Sequence, residues 1–365
     1  MVDSLGAGGM ENGIVNVAGS LEGRVDSWVA ALSERGIFSK RMPTPSQVVE
    51  LGKEGGFSIR VASRLTKIID EVRPDVIHSH NLGPLIYLRV ARFLSGFLHR
   101  FPPIVHGEHS MIEGNELGLR RMLQRRLLYR ECSAVHTVSS GLLAGLKGHG
   151  LKAKRMMAII NGVDCERFRV NPDRRCDPDR IVVLGCVGRL VERKRHVMLI
   201  EAFERIAGDY PRMKLLLVGD QGPERESVKK CIEDSPVEER IDWVPFQEQP
   251  ERYYQKMDLL VVPSESEGLA NVVLEAMACG VPVVGSLACG TPEVVNDGET
   301  GLLGTIEKVG DLEVLLRRAL SLDAVEIRAM GNRAREEAVR RFSLAGMAEA
   351  YYRLYQSMSL KTQVK

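Results

Sequence analysis

The chain has 365 residues, 44% hydrophobic and 27% charged, with a net charge of +2. That is the composition of a globular protein long enough for two domains. Its seven cysteines (132, 165, 176, 186, 231, 279 and 289) are odd in number, scattered and without a CxxC pair, which argues against a disulfide framework or a zinc site and for reduced thiols in the cytoplasm. No run of eighteen apolar residues occurs, and the start has no basic segment leading into an apolar core, so neither a spanning helix nor a signal peptide is expected.

Short apolar runs alternate with helical patterns along the chain. Strands are expected at Val25–Leu32, Gln47–Leu51, Val76–Ser79, Ile104–His106, Ala134–Val138 and Met156–Ile160. Between them lie helical patterns such as Ile59–Val72 and Gly118–Arg130. The second half repeats the order, with strands at Ile181–Val187, Lys214–Val218, Ile241–Val244, Leu259–Val262, Val281–Val284 and near Gly301–Leu303, and helices at His196–Asp209 and Asn271–Ala278. Helices at Val309–Ser321, Ala324–Phe342 and Ala345–Ser357 close the chain. This order predicts α/β architecture, two doubly wound parallel sheets with helices on both faces. Residues 165–180, with two prolines, four acids and five arginines and no periodicity, read as a linker between domains 1–164 and 181–342, with 343–365 a terminal helix. Residues 1–164 carry 21 Lys+Arg against 15 Asp+Glu (net +6), and 165–365 carry 29 against 33 (net −4). A basic first half suits an anionic acceptor or a membrane surface. Only Met1–Ser4 precedes the glycine loop at residues 5–9, so the first strand is nearly absent and a start further upstream is expected.

Chemistry-bearing residues collect where predicted strands end. Leu5-Gly-Ala-Gly-Gly-Met-Glu11 is a glycine loop before a helix, able to let backbone approach a phosphate or a sugar. His78-Ser-His80-Asn81 and His106-Gly-Glu108-His109 close two strands, and polar groups at the carboxyl ends of parallel strands line ligand crevices. Arg189 and Lys194 stand between a strand and a helix, the two cations that a diphosphate needs beside helix N–H groups. Glu267 sits in a Ser/Glu/Gly loop and Glu275 on the following helical run; carboxylates accept hydrogen bonds from the vicinal hydroxyls of a sugar or ribose. Asp177-Pro-Asp179 spells DxD, but within the linker beside proline, and no His/Cys/Asp cluster has metal spacing. No metal or other cofactor is therefore expected. On Gly118–Arg130 five arginines (120, 121, 125, 126, 130) alternate with Leu119, Met122, Leu123, Leu127 and Leu128. That pattern fits either a helix on an anionic membrane surface or one burying its leucines on a sheet. Aromatics total 5% and do not interleave with the arginines, which argues against nucleic acid.

The stretch Ser264–Val284, with its Glu-x7-Glu spacing, and the upstream Arg189/Lys194 pair together resemble the retaining glycosyltransferases of the GT-B fold, family four. Asn161–Asp164, Gly219–Pro223 and Thr291–Glu293 are similar to further turns of that family. Two departures are Arg195 and His196 where glycine usually follows the lysine, and Cys289-Gly290 in place of a Gly-Gly pair. The resemblance implies two Rossmann-like domains facing across a cleft, with the last helix returning to the first domain through Tyr351, Tyr352 and Tyr355. It implies transfer from a nucleotide-sugar to a saccharide or lipid-linked acceptor, as in bacterial exopolysaccharide or envelope synthesis. It gives Arg189 and Lys194 the departing diphosphate, Glu267 the donor sugar, Glu275 the ribose, and Gly8, Gly9, Gly268, Leu269 and Ala270 the rest of the donor. His109 would contact the donor sugar near the reacting carbon; Glu11, His80, Asn81, His106 and Glu108 would face the acceptor. The sequence leaves open a GT-B-like nucleotide-sugar epimerase and a non-catalytic sugar-nucleotide or glycan-binding protein. The expected location is the cytoplasm, with peripheral contact at the inner membrane through Gly118–Arg130.

Overall fold

The computed structural model describes residues 1–96, 101–172, 181–288 and 290–363. The DxD triplet and half of the expected linker, residues 173–180, lie outside them. The chain divides into two compact units, residues 1–161 with 344–365, and residues 162–343.

In the first unit, β1 (Val29–Ala31) pairs with β2 (Val48–Glu50), and β3 (Ile77–His80), β4 (Ile104–Glu108), β5 (Ala134–Thr137) and β6 (Met156–Ala158) form a second sheet in that order; every pairing is parallel. Helices α1 (Gly9–Ser20), α2 (Ile59–Val72), α3 (Leu82–Leu94), α4 (Leu119–Glu131) and α5 (Ser140–Gly148) connect the strands. The short stretch before the glycine loop lies between the two sheets. Val2 bridges Ala31 in parallel, and its N–H and C=O bond Ala30 and Leu32. On the other side Met1 O accepts the His80 N–H at 3.1 Å. β1 is shorter than Val25–Leu32 because Arg24 N and Val25 N bond back to Leu21 O, in the turn that ends α1.

In the second unit six parallel strands, β7 (Val182–Val187), β8 (Met213–Val218), β9 (Ile241–Val244), β10 (Leu259–Val262), β11 (Val283–Ser286) and β12 (Gly301–Gly304), take the order β12-β11-β10-β7-β8-β9. Helices α6 (His196–Ala207), α7 (Arg225–Glu233), α8 (Glu251–Tyr254), α9 (Asn271–Ala278), α10 (Thr291–Val294), α11 (Val309–Leu320) and α12 (Ala324–Arg341) cover it. Leu184, Leu215, Leu217, Leu259 and Val261 pack with Leu199, Phe203 and Leu316 in one apolar core. The direction of winding reverses between β7 and β10, and in such sheets ligands bind beyond the carboxyl ends at the reversal.

The last helix, α13 (Leu344–Gln363), belongs to the first unit. Its Met347, Tyr351, Leu354 and Met358 join Val105, Ala134 and Ile159 in a buried cluster, Tyr355 bonds His78, and Arg24 lies over the Tyr352 ring at 3.8 Å. Among the described residues no helix is long and apolar enough to cross a membrane.

Candidate active site

In the second unit the loops after β7, β8 and β10 are stitched together by backbone. Gly188 N bonds Val218 O, Leu190 N bonds Gln221 O at 2.7 Å and Glu224 N bonds Leu190 O. This closeness requires glycine: a Cβ on Gly219 would stand 2.2 Å from Gly188 O, where no side chain fits. Glu265 N then donates to Arg193 O at 2.8 Å, joining the loops on either side of the reversal.

That joint sets Lys194 Nζ 2.5 Å from Glu267 Oε1, each side chain about 15% exposed (15% and 14%). Arg189 is exposed and has no ion-pair partner among the described residues. Arg195 takes a left-handed backbone (φ 55°, ψ 42°), which a side chain enters at about 1 kcal/mol and glycine enters freely. Its guanidinium offsets this by bonding Ile306 O and standing 3.6 Å from Glu265. Glu275, on α9, accepts a 2.7 Å hydrogen bond from the fully buried Tyr254 phenol; burial, then the carboxylate, raises the pKa of that phenol. Gly268, Leu269 and Ala270 are buried at the start of α9. A Cβ on Gly290 would meet Gly268 O at 2.3 Å, so residue 290 must be glycine.

Four buried side-chain polar atoms lack a hydrogen-bond partner among the described residues: His136 Nδ1, His196 Nδ1, Ser264 Oγ and Glu267 Oε1. Lys194 approaches Glu267 Oε1 as an ion pair without hydrogen-bond alignment. Three of the four follow β7 or β10. An unmade buried hydrogen bond costs about 1–3 kcal/mol, and a polar ligand at the reversal would remove that cost. Burial, then the Lys194 charge, lowers the His196 pKa to about 4, so this histidine is neutral at pH 7.

In the first unit, five of the eight histidines gather at the ends of β3, β4 and β5. They split between the two faces of the sheet. On one, Ser79 Oγ meets His106 Nδ1 at 2.8 Å, His106 Nε2 stands 3.4 Å from Glu108 Oε1, and Arg125 Nε and the Tyr129 hydroxyl of α4 donate to the same oxygen. Burial opposes the Glu108 charge, but the His106 hydrogen bond and charge, and then Arg125, outweigh it and bring its pKa down to about 2. His106 is 0% and Glu108 3% exposed. Both were expected at the acceptor. Instead they fasten α4 to the sheet, because Arg125 turns inward from its helix to neutralise the carboxylate.

On the other face His80 Nδ1 meets His109 Nε2 at 2.9 Å, His78 Nε2 meets His136 Nε2 at 2.8 Å, and His78 Nδ1 meets Tyr355 OH at 2.8 Å. Gly107 makes room for them; a Cβ there would come 2.6 Å from His136 Nε2. Burial lowers all four pKa values, that of His109 to about 4. His80, expected at the acceptor, is 7% exposed and supports His109. His136 was not anticipated, although its place at the end of Ala134–Thr137 was the available signal; Tyr129 and Tyr254 gave none.

Glu11 folds over the glycine loop, its Oε2 2.1 Å from where a Gly8 Cβ would stand, so a side chain at residue 8 would displace the Glu11 carboxylate. Gly9 opens α1. Asn81 follows β3 with φ 63° and ψ 164°, a region nearly confined to glycine that costs a side-chain residue about 1–3 kcal/mol.

The profile described as "Glycosyltransferase Family 4" matches residues 7–167, and that described as "Glycosyl transferases group 1" matches residues 175–337. The chain is 37% identical over 289 residues to the GDP-mannose-dependent alpha-(1-6)-phosphatidylinositol monomannoside mannosyltransferase of Mycolicibacterium smegmatis, covering 72% of this chain and 73% of the relative. It is 27% identical over 310 residues to N-acetyl-alpha-D-glucosaminyl L-malate synthase of Bacillus anthracis, covering 82% and 79%. The crystal structure of Anabaena HepE with UDP and glucose matches with a TM-score of 0.83 over 98% of both chains at 21% identity, a likeness of fold. Two Rossmann-like units of this kind make up the GT-B fold. The chain belongs to the group 1, family 4 glycosyltransferases and is a retaining glycosyltransferase.

Proposed function

We propose that the enzyme moves a sugar from a nucleoside diphosphate sugar to a saccharide or lipid-linked acceptor in the building of envelope glycans. The observation that carries this is the Lys194–Glu267 pair at the winding reversal, one turn-and-helix away from Glu275. Arg189 and Lys194 take the diphosphate and stabilise the charge that develops on it. Glu267 accepts from the donor sugar's hydroxyls, Glu275 from the ribose, and the Gly268–Ala270 backbone and Gly8 and Gly9 close on the rest. His109 orients the sugar. The bond from the anomeric carbon to the diphosphate oxygen breaks while the acceptor oxygen bonds the same face, and the acceptor proton passes to the leaving phosphate; no metal or nucleophilic side chain enters. Glu11 and Asn81 serve the acceptor. The name of the mannosyltransferase relative supports a sugar-nucleotide donor and a lipid-linked acceptor such as a phosphatidylinositol mannoside.

The acceptor is met at the cytoplasmic membrane surface. Leu119, Leu123 and Leu127 of α4 are 84%, 53% and 54% exposed, beside the exposed Arg120, Arg126 and Arg130, a face suited to anionic lipid.

The test is turnover. UDP-glucose, UDP-N-acetylglucosamine and GDP-mannose are each incubated with octyl glycosides, and released nucleotide and product anomeric configuration are read by NMR. One donor should be consumed with its configuration retained; an inverted product, or consumption of none of the three, counts against the reading.

A further inference from the structure

Three described non-glycine residues have positive φ. Arg73 and Arg195 sit in the ordinary left-handed basin at helix ends, with ψ of 55° and 42°. Asn81 differs. At φ 63° and ψ 164° it occupies the extended positive-φ region that only glycine enters without strain. It is also the residue before α3, where asparagine normally accepts a hydrogen bond from the first turn; its side chain makes no such bond. Neither the backbone nor the helix cap explains an asparagine at this place.

The backbone of Asn81 is held by its N–H donating to Gly107 O at 2.9 Å, at the end of β4. This hydrogen bond fixes the strained geometry and directs the amide towards the first turn of α1. There Nδ2 stands 3.4 Å from Met10 Sδ, and thioether sulfur is a weak acceptor. Asn81 is half-buried; its Oδ1 and second N–H have no partner among the described residues. The amide can both donate and accept, the capacity that recognises a sugar hydroxyl, whose oxygen also does both. It lies against the turn that carries Glu11 and follows Gly8 and Gly9, and it precedes the helix on the residue next to His80, the support of His109.

We propose that Asn81 is a specificity-determining residue that binds a ring hydroxyl of the acceptor saccharide, and that its strained backbone is retained to aim the amide there. This deepens the transfer reading and rests on it.

Two variants test it. Asn81→Gly removes both strain and amide; Asn81→Ala removes the amide and keeps the strain. Thermal unfolding needs no substrate. Asn81→Gly should melt about 2–4 °C above the wild type, and Asn81→Ala no higher than the wild type. With the donor that the wild type consumes, transfer to octyl glycosides is then compared with hydrolysis of the same donor by water. Both variants should lose at least tenfold in the ratio of transfer to hydrolysis, with the loss in acceptor KM. An Asn81→Gly protein that is no more stable overturns the strain argument. An unchanged ratio, or a rise in donor KM instead, overturns the acceptor assignment. A wild type that consumes no donor counts against the proposed function, and the melting comparison still reads Asn81 by itself.

Discussion

Lys194 and Glu267 neutralise each other at 2.5 Å, although the transfer reading gives them different parts of one donor. The two side chains thus compete with the donor for each other, and a diphosphate that binds Lys194 must draw it away from the carboxylate. Glu267→Gln should accordingly bind UDP or GDP about 5- to 10-fold more tightly, roughly 1 kcal/mol, while sugar transfer falls by two orders of magnitude or more. Lys194→Ala should lose both. Calorimetric titration of the variants decides it: weaker nucleotide binding by Glu267→Gln would mean that the carboxylate does not compete for Lys194.

Glu108 and Arg125 are each 4% exposed at the side chain and share one ion pair. Removing one partner of such a pair leaves an uncompensated buried charge, at about 3–5 kcal/mol. Arg125→Met should lower stability by that amount in urea unfolding, and adding Glu108→Gln should recover most of it. A loss under about 1 kcal/mol in the single variant would show that water reaches the carboxylate.

The four clustered histidines, 78, 80, 109 and 136, set an acid limit. Their folded pKa values lie below 6.5, that of His109 at about 4, so below pH 6.5 the unfolded chain binds protons that the folded chain refuses. Stability is complete above pH 6.5 and falls as the pH drops towards 4, by about 1.4 kcal/mol per pH unit for each proton withheld. Melting temperatures at pH 7.5, 6 and 5 should drop steeply over the lower interval. A flat profile would mean that the histidines are protonated in place.

The leucines of α4 give a membrane test. Replacing Leu119, Leu123 and Leu127 together by serine should cut sedimentation with vesicles containing anionic phospholipid at least tenfold, and salt should weaken what remains. Transfer to a soluble octyl glycoside should be retained. Equal vesicle binding by the triple variant would remove α4 from the interface.

Much of this was legible in the sequence because the strands are short apolar runs and the helices are periodic; Ile59–Val72 and Asn271–Ala278 form over the expected residues. Glu267 and the Arg/Lys pair were visible as charges in loops, and Glu275 as a charge on a helical run. What the one-dimensional pattern hides is which partner meets a face. The strand-end position of His106 and Glu108 was legible, yet nothing local shows that Arg125, seventeen residues on from Glu108, fills their face. The leucines of α4 were equally ambiguous, since helical spacing is the same whether a stripe meets a sheet or solvent. Tyr254 escaped notice because a tyrosine in a polar segment gives no sign that its hydroxyl reaches a carboxylate twenty-one positions away.

The return of α13 to the first unit has a consequence for how the chain is made. Residues 1–161 leave the ribosome with Val105, Ala134 and the His78–His136 layer facing water, and the segment that shields them emerges only after the whole second unit. The second unit, continuous in sequence, can fold while its neighbour still waits. A surface synthesised before the second unit is therefore completed only after it, and the interval between is when a holdase chaperone has most to protect.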